Sequence, residues 1–360
     1  MSACYLTYGT LVTPLGIGEI AHLKALKENE SGIQQCFGTG FNGEDWFLSK
    51  IDFLQGNRYN HMLTIACGDL LKKIPSTLLR STRTLVIVSS TKADLQSLST
   101  DSFQSTRTIL NEQLGIANEP IIVSNACISG VLAINLAADY LKTDRYDDVV
   151  IIGIDSLSDF VIFGFQSLFA MSDERTKPFD ADRKGISLGE ACGIVLLSRN
   201  QHDSFCVEYC AGASSNDANH ISGPSRTGEG LVRAVTRTIE RSGINPQHID
   251  FISAHGTGTL FNDEMESIAF NRLGMSHIPL NSLKAYFGHT LGAAGIIEVI
   301  ACMLSMENHL LFKSLGFSTQ GTSEHLNILT ENQDKNISVV LKTASGFGGG
   351  NAALLLKNVK

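Results

Sequence analysis

Cys127 lies in Ser124-Asn125-Ala126-Cys127-Ile128-Ser129-Gly130, between an apolar run from Pro120 to Ser124 that reads as a strand and a helix rich in small residues, among them Gly130, Ala133, Ala137 and Ala138. A thiol at a helix start faces free backbone N–H groups and the positive end of the helix dipole. Part of it is therefore expected as thiolate, the form that attacks thioesters. Two histidines supply the complementary chemistry. His255 sits in Ala254-His255-Gly256-Thr257-Gly258-Thr259, directly after a strand-like run, and His289 sits in Gly288-His289-Thr290-Leu291-Gly292, just downstream of Lys284. A single histidine beside glycine is commonly a structural hydrogen-bonder. These two fall at strand–helix junctions of one half of the chain, facing the junction that bears Cys127, and a thiol with two imidazoles and a lysine is suited to acyl transfer.

The elements that must bring these residues together follow a repeated order. In the first half an extended segment (Cys4 to Leu11) precedes a helix (Ile17 to Lys27), a strand (Thr84 to Ser89), the strand and helix around Cys127, and a strand from Asp148 to Asp155. In the second half the extended run Ser204 to Ala213 precedes a helix (Glu229 to Arg241) and a strand (His248 to Ala254). A helix (Asp263 to Leu273), a strand (Ile278 to Leu283), a helix (Thr290 to Leu304) and a strand (Ile337 to Thr343) complete it. Each half closes on a glycine-punctuated turn and an apolar strand, Gly193 to Leu197 and Ala352 to Leu356. The pattern predicts a duplicated α/β protein with halves 1–199 and 200–360, the break falling near Arg199 to Asp203. It also predicts two mostly parallel sheets with helices between and outside them, and ligands gathered where strands end and helices begin.

Composition narrows the class. The 360 residues are 43% hydrophobic, enough for more than one core, and the net charge of −8 without any Lys/Arg run argues against nucleic acid as the main partner. An acidic protein partner would instead meet a local patch of Lys and Arg. The first ten residues carry no basic and apolar leader pattern and no window reaches eighteen consecutive apolar residues, so no membrane span and a cytoplasmic location are expected. Eight scattered cysteines do not form a disulfide framework, and Cys206 and Cys210 alternate in a strand with no second ligand pair, so no metal site is expected. Gly38-Thr39-Gly40-Phe41-Asn42-Gly43 fits a dinucleotide-binding pattern but neither follows a strand nor opens a helix. Asp263, Glu264 and Glu266 read as acidic residues favouring a helix N-terminus rather than as metal ligands.

Taken in order, Asn125-Ala126-Cys127-Ile128-Ser129-Gly130, His255-Gly256-Thr257-Gly258-Thr259, Lys284 followed by Gly288-His289-Thr290-Leu291-Gly292 and Glu298, and Gly346-Phe347-Gly348-Gly349-Gly350-Asn351 closely resemble the β-ketoacyl-acyl-carrier-protein synthases, the elongating ketosynthases of the thiolase superfamily. Lys177 to Arg183 with Gly189-Glu190, and Asp217-Ala218-Asn219-His220, extend the match. It is good from about residue 120 onward and weak over the first hundred.

The resemblance implies the thiolase fold, a duplicated five-layer αβαβα sandwich, and an acyltransferase activity. An acyl group held on Cys127 would undergo decarboxylative Claisen condensation with malonyl-acyl-carrier protein, giving 3-oxoacyl-acyl-carrier protein and CO2. Cys127, His255, His289 and Lys284 would form the catalytic set, the N–H groups of Cys127 and Phe347 the oxyanion hole, and Phe347 the gate. Glu298 would pair with Lys284, and Thr257 and Thr259 would bind the phosphopantetheine arm. The resemblance implies no cofactor beyond the phosphopantetheine that carries the substrates. It implies as partners the acyl carrier protein and either a second copy or a paralogous ketosynthase. Ser89 to Leu95 replaces the usual glycine-rich acyl-pocket stretch and Gly350 stands where threonine is usual. Both departures point to a specialised pathway, such as an aryl polyene or polyketide, rather than ordinary fatty-acid elongation. The alternative is a partner subunit of the chain-length-factor type that shapes the pocket of another ketosynthase. Retention of Cys127, His255 and His289 speaks against it.

Overall fold

The apolar run Thr84–Ser89 is buried along its whole length, and its side chains divide by parity. Leu85 and Ile87 pack in the largest core cluster with Ile134 and Ile296, whereas Val86 and Val88 pack in a second with Met62, Leu63 and Leu110. Successive strand residues face opposite ways, so a continuous apolar strand needs helices on both of its faces.

In this computed structural model, which describes residues 3–95, 100–201, 205–217 and 223–359, ten strands form one hydrogen-bonded path. The first five are β1 (Tyr5–Thr13), β2 (Thr84–Ser89), β3 (Ile121–Val123), β4 (Asp148–Asp155) and β5 (Ala191–Ser198). The second five are β6 (Cys206–Asn216), β7 (Phe251–Ser253), β8 (Leu280–Asn281), β9 (Val339–Gly346) and β10 (Gly350–Asn358). Across the sheet the order is β8-β7-β9-β10-β6-β1-β5-β4-β2-β3, so the second five repeat the arrangement of the first. Six helices complete the pattern: α1 (Arg58–Leu70), α2 (Gln104–Leu114), α3 (Ser129–Leu141), α4 (Glu229–Ser242), α5 (Leu260–Arg272) and α6 (Ala294–Asn308).

The expectation of two separate, mostly parallel sheets needs correction on both counts. Each half is mixed. β2 runs parallel to β3 and β4, but β5 is antiparallel to β4 and β1. Likewise β7 is parallel to β8 and β9, and β10 antiparallel to β9 and β6. The tight turn Phe347–Gly349 joins β9 to β10, and so short a connection returns the chain antiparallel. The halves are also joined edge to edge, β1 pairing with β6 through Tyr5↔Glu208, Leu6↔Val207 and Thr7↔Cys206.

Helices α3 and α6 form the central layer, α3 packing on strands of both halves. Helices α1 and α2 cover the outer face of the first half through Met62, Leu63 and Leu110. Helices α4 and α5 cover the outer face of the second through Leu231, Val235, Met265 and Phe270. The section therefore reads α, β, α, β, α, the thiolase fold. Central burial explains why the stretch Leu291–Asn308, long and apolar enough by composition to cross a membrane, is instead 89% enclosed by the protein. The two central helices meet at their N-terminal turns because neither has a side chain there. A Cβ on Gly130 would lie 2.9 Å from the backbone nitrogen of Ile296, and one on Gly295 would lie 2.6 Å from that of Val131.

Local differences have local causes. The strand expected over His248 to Ala254 is shortened because Pro246–His248 forms a 3-10 turn. The helix expected from Thr290 begins at Ala294, after a 3-10 turn over Leu291–Ala293, and α5 starts at Leu260 rather than Asp263. Residues 202–203 of the expected break and 218–220 of the Asp217 to His220 motif lie outside the described residues.

Candidate active site

The end of β3 and the start of α3 form an elbow that carries Cys127. Ala126 has φ 43°, a left-handed conformation uncommon for a residue with a side chain. Ser129 ties the elbow, its Oγ accepting from the Asn125 N–H at 2.7 Å and donating to the Ala126 carbonyl at 2.6 Å. The glycine turn between β9 and β10 closes over the same point. A Cβ on Gly346 would lie 3.1 Å from the Cys127 nitrogen, so a larger residue there would push the turn back by a few tenths of an ångström. The backbone N–H groups of Phe347 and of Cys127 itself, the pair that the resemblance names as oxyanion-hole donors, both favour the charged form of the Cys127 sulfur.

The close crossing of α3 and α6 brings His289 to Cys127. Its Nε2 is 2.9 Å from Sγ. His255 packs edge-on against His289, with ring centroids 5.3 Å apart. The sulfur and one nitrogen from each ring all lie within 4.8 Å of one another. His289 is anchored through its own backbone, its N–H donating to the Ser187 carbonyl at 2.7 Å and its carbonyl accepting from the Gly189 N–H at 3.0 Å. In neither histidine does Nδ1 have a hydrogen-bond partner within the described residues.

His255 is held from both sides of its backbone. Glu266 accepts from the N–H groups of His255 (2.8 Å) and Gly256 (2.6 Å), and Asp263 from those of Thr257 (2.9 Å) and Gly258 (3.1 Å). These two carboxylates do more than favour a helix N-terminus. Both are buried and fix the turn that bears the histidine, a role the sequence reading missed although the acidic cluster was visible four residues past Thr259. On the other side Lys284 donates to the His255 carbonyl at 3.1 Å and pairs with Glu298. Lys342 completes that arrangement and was not anticipated. It is a fully buried cation in the apolar run Val339-Val340-Leu341-Lys342, 2.6 Å from the second oxygen of Glu298.

Burial decides the charges. It pushes the Cys127 thiol up to about 12, against the lowering effect of Lys284 and of the Phe347 and Cys127 N–H groups. This corrects the expected partial thiolate. A helix dipole supplies about 0.3–2 kcal/mol, whereas removing an ion from water costs several. Burial, with Lys284 nearby, also holds His289 well below its ordinary value, and His255 is lowered in the same way by burial, Lys284, His289 and Lys342. The resting pair is thus a neutral thiol beside a neutral imidazole, 2.9 Å apart, a geometry in which His289 Nε2 could accept the thiol proton. Two buried ammonium groups served by one carboxylate also make the pocket a poor host for a divalent cation, despite its Cys/His/His spacing.

Cys127, His255 and His289 line a cavity of about 390 Å³ that also exposes Thr257, Thr259 and Phe347. The Thr257 and Thr259 hydroxyls are hydrogen-bonded to each other at 2.8 Å, and the Phe347 ring stacks on Phe165 with centroids 5.4 Å apart. The mouth is apolar. Phe169 is 95% exposed and Phe261 77%, with Leu168 and Leu260 beside them, and the rim cation Lys184 is paired with Asp173 and Glu174. Among the described residues that line this opening Lys184 is the one Lys or Arg, in place of the patch expected for an acidic partner. Behind Cys127, the Ser89 to Leu95 stretch is tied to the end of β4. Buried Asp155 accepts from Ser90, from both the N–H and hydroxyl of Thr91, from the Gly292 N–H and from Lys92.

Comparisons with known proteins identify the family and the fold. Residues 78–203 match the family described as beta-ketoacyl synthase, N-terminal domain, and residues 207–318 match beta-ketoacyl synthase, C-terminal domain. The 3-oxoacyl-[acyl-carrier-protein] synthase 2 of Rhizobium meliloti (strain 1021) is 32% identical over 252 residues, 65% of this chain and 60% of that protein. The chain matches about three fifths of the length of such curated relatives. One chain of the ketosynthase (ApeO) in complex with its chain length factor (ApeC) from Xenorhabdus doucetiae superposes with a TM-score of 0.89 at 26% identity, covering 99% of this chain and 98% of that one. A chain of AntDE:AntF, a type II polyketide acyl-carrier protein in complex with its ketosynthase, has the same fold, with a TM-score of 0.85 at 21% identity over 99% of this chain and 100% of the other. With the N-terminal and C-terminal domains of the family both matched, together over more than half of its length, the chain belongs to the β-ketoacyl synthases.

Proposed function

We propose that this chain is an elongating ketosynthase acting on acyl groups carried on phosphopantetheine. The observation that carries the reading is the Cys127 sulfur hydrogen-bonded to His289 and backed by the Phe347 and Cys127 N–H groups at the base of the cavity. In the first half-reaction Sγ attacks the thioester carbonyl carbon while its proton passes to His289 Nε2, and the negative oxygen is received by the two backbone donors. The carbon–sulfur bond to the carrier breaks, and the leaving thiolate takes the proton from His289. In the second, the malonyl thioester carbonyl accepts hydrogen bonds from His255 and from His289, whose Nε2, no longer the acceptor of the thiol proton, carries the ring's single N–H after tautomer exchange through water. The bond to the carboxylate breaks, CO2 leaves, and its electron pair forms an enolate that these donors stabilise. The enolate carbon attacks the acyl carbon, the bond to Sγ breaks, and the thiolate takes up the one proton that the condensation consumes, delivered from water by way of His289 Nε2.

Thr257 and Thr259, which line the cavity, would meet the pantetheine arm, and Phe347, flanked by glycines and stacked on Phe165, would gate access between the two substrates. An acyl carrier protein is the substrate-bearing partner. The similarity to a chain from a ketosynthase–chain length factor complex supports pairing with a second copy or a paralogue. It equally leaves a pocket-shaping subunit as the alternative reading, but such a role does not call for a buried Cys127/His289 contact. The departures of Ser89 to Leu95 and of Gly350 from the usual family pattern support a specialised polyene or polyketide substrate. Eight free cysteines fit the cytoplasm. We read 1–199 and 200–360 as the two halves of the duplication.

The test is intact-protein mass spectrometry after incubation with a panel of acyl-carrier thioesters. One acyl adduct is expected on the wild-type chain and none on Cys127→Ala, whose circular dichroism should be unchanged. An adduct persisting on the variant overturns the reading.

A further inference from the structure

The strand end that bears His255 is clamped by charge along both edges of its backbone. On the amide edge Glu266 and Asp263 take four successive N–H groups, from His255 to Gly258. On the carbonyl edge three successive oxygens are taken by two lysines. Lys342 Nζ donates to the Ser253 and Ala254 carbonyls, each at 3.2 Å, and Lys284 Nζ donates to the His255 carbonyl at 3.1 Å. Glu298 on α6 joins the two lysines, one oxygen to each. Lys342 sits on β9 directly beside Ser253 in the parallel register. A charged side chain with no exposed surface in the middle of an apolar strand is costly unless it is paired, and all the partners of this one lie within one or two residues of His255 or on the helix that follows His289.

We infer that Lys342 is a positioning residue for the condensation chemistry: by holding Glu298 from the side opposite Lys284 and capping the end of β7, it sets where the His255 ring stands. The inference rests on the ketosynthase reading for its kinetic consequence but not for its structural one. The titratable groups that face Lys342 are Glu298 and Cys302 on α6, Lys284, His255 itself, and Glu266 on α5. Removing the Lys342 cation leaves His255 with one buried lysine nearby, Lys284, instead of two. The ring then accepts a proton at higher pH, and a protonated ring is displaced from the neutral donor state that enolate formation uses.

The experiment compares wild type, Lys342→Met, Lys342→Gln and Lys342→Arg in the full chain. Cys127 loading, decarboxylation of malonyl-carrier and side-chain nitrogen NMR of His255 and His289 are measured across pH. In Lys342→Met, loading is expected within about threefold of wild type, while kcat for decarboxylation falls about tenfold or more with KM unchanged. The His255 titration should move up by about one pH unit or more. Lys342→Arg should restore both. Lys342→Gln keeps a donor to Glu298 without the charge and guards against misfolding of the methionine variant; it should show the same shifts in smaller measure. The inference is overturned if loading and decarboxylation fall together with the melting temperature while the His255 titration stays in place, or if nothing changes. A wild-type chain that neither loads nor decarboxylates refutes the ketosynthase reading instead, and the NMR titration still decides on Lys342.

Discussion

At Cys127 and His289 the protonation state follows from enclosure rather than from the helix end. With the thiol raised to about 12 and the imidazole lowered, thiolate is scarce at neutral pH and its fraction grows with every unit of pH. The rate of Cys127 alkylation by iodoacetamide should therefore climb about tenfold per unit between about pH 7 and 9. A rate already flat below neutrality would instead mark a thiolate–imidazolium pair. The two histidines also separate. Only His289 touches the sulfur, so His289→Ala should slow acyl loading by about 10²-fold, whereas His255→Ala should load at near the wild-type rate and lose decarboxylation. Single-turnover transfer of a labelled acyl group measures the first step and CO2 release the second. Equal loss of loading in both variants would remove the distinction.

The elements place these side chains through two backbone contacts. Helices α3 and α6 belong to different halves, and their N-terminal turns touch only because Gly130 and Gly295 have no Cβ. Gly295→Ala forces a methyl to within 2.6 Å of the Val131 nitrogen, so the helices must part. The expected cost is about 1–3 kcal/mol in chemical denaturation, together with loss of loading as His289 draws away from the sulfur. Unchanged activity and stability would mean that the crossing has slack. Some elements carried legible signals that went unused. Helix α1 opens on Asn57, whose side chain accepts from the Asn60 N–H, and it buries Tyr59, Met62, Leu63, Ala66 and Leu70 at helical spacing. Helix α2 ends on Gly115 in the left-handed conformation and buries Thr106, Leu110 and Leu114.

For the whole molecule, net charge is a poor guide to how a carrier protein would dock. The chain is acidic, and the mouth of its pocket is framed by Phe169, Phe261, Leu168 and Leu260, with Lys184 engaged by Asp173 and Glu174. Association with an acyl carrier protein should accordingly vary little between about 0.05 and 0.5 M salt, a range over which the screening length shortens severalfold. Phe169→Ser with Phe261→Ser should weaken it by about tenfold or more, since each ring removes apolar area from the contact. Surface plasmon resonance with a carrier locked in its phosphopantetheine form reads both effects. A steep fall in affinity with salt would restore the basic patch as the docking determinant.

The sequence by itself determined the chemistry and the repeat. Cys127, His255 and His289 each stand in a short motif whose conformation is dictated by neighbouring residues, the parity of apolar runs such as Thr84–Ser89 requires helices on both faces, and the order of elements is a linear property. Only the tertiary structure decided the rest. Whether Cys127 is thiol or thiolate depends on water excluded by segments more than two hundred residues away, among them the turn at Phe347. The joining of the two halves depends on a three-residue pairing between β1 and β6, too short to leave a pattern. Lys342 is the sharpest case. In the chain it is one charge in an apolar strand, and its partners, Glu298 and the carbonyls of Ser253 and Ala254, become neighbours only when β9 is laid beside β7 and under α6.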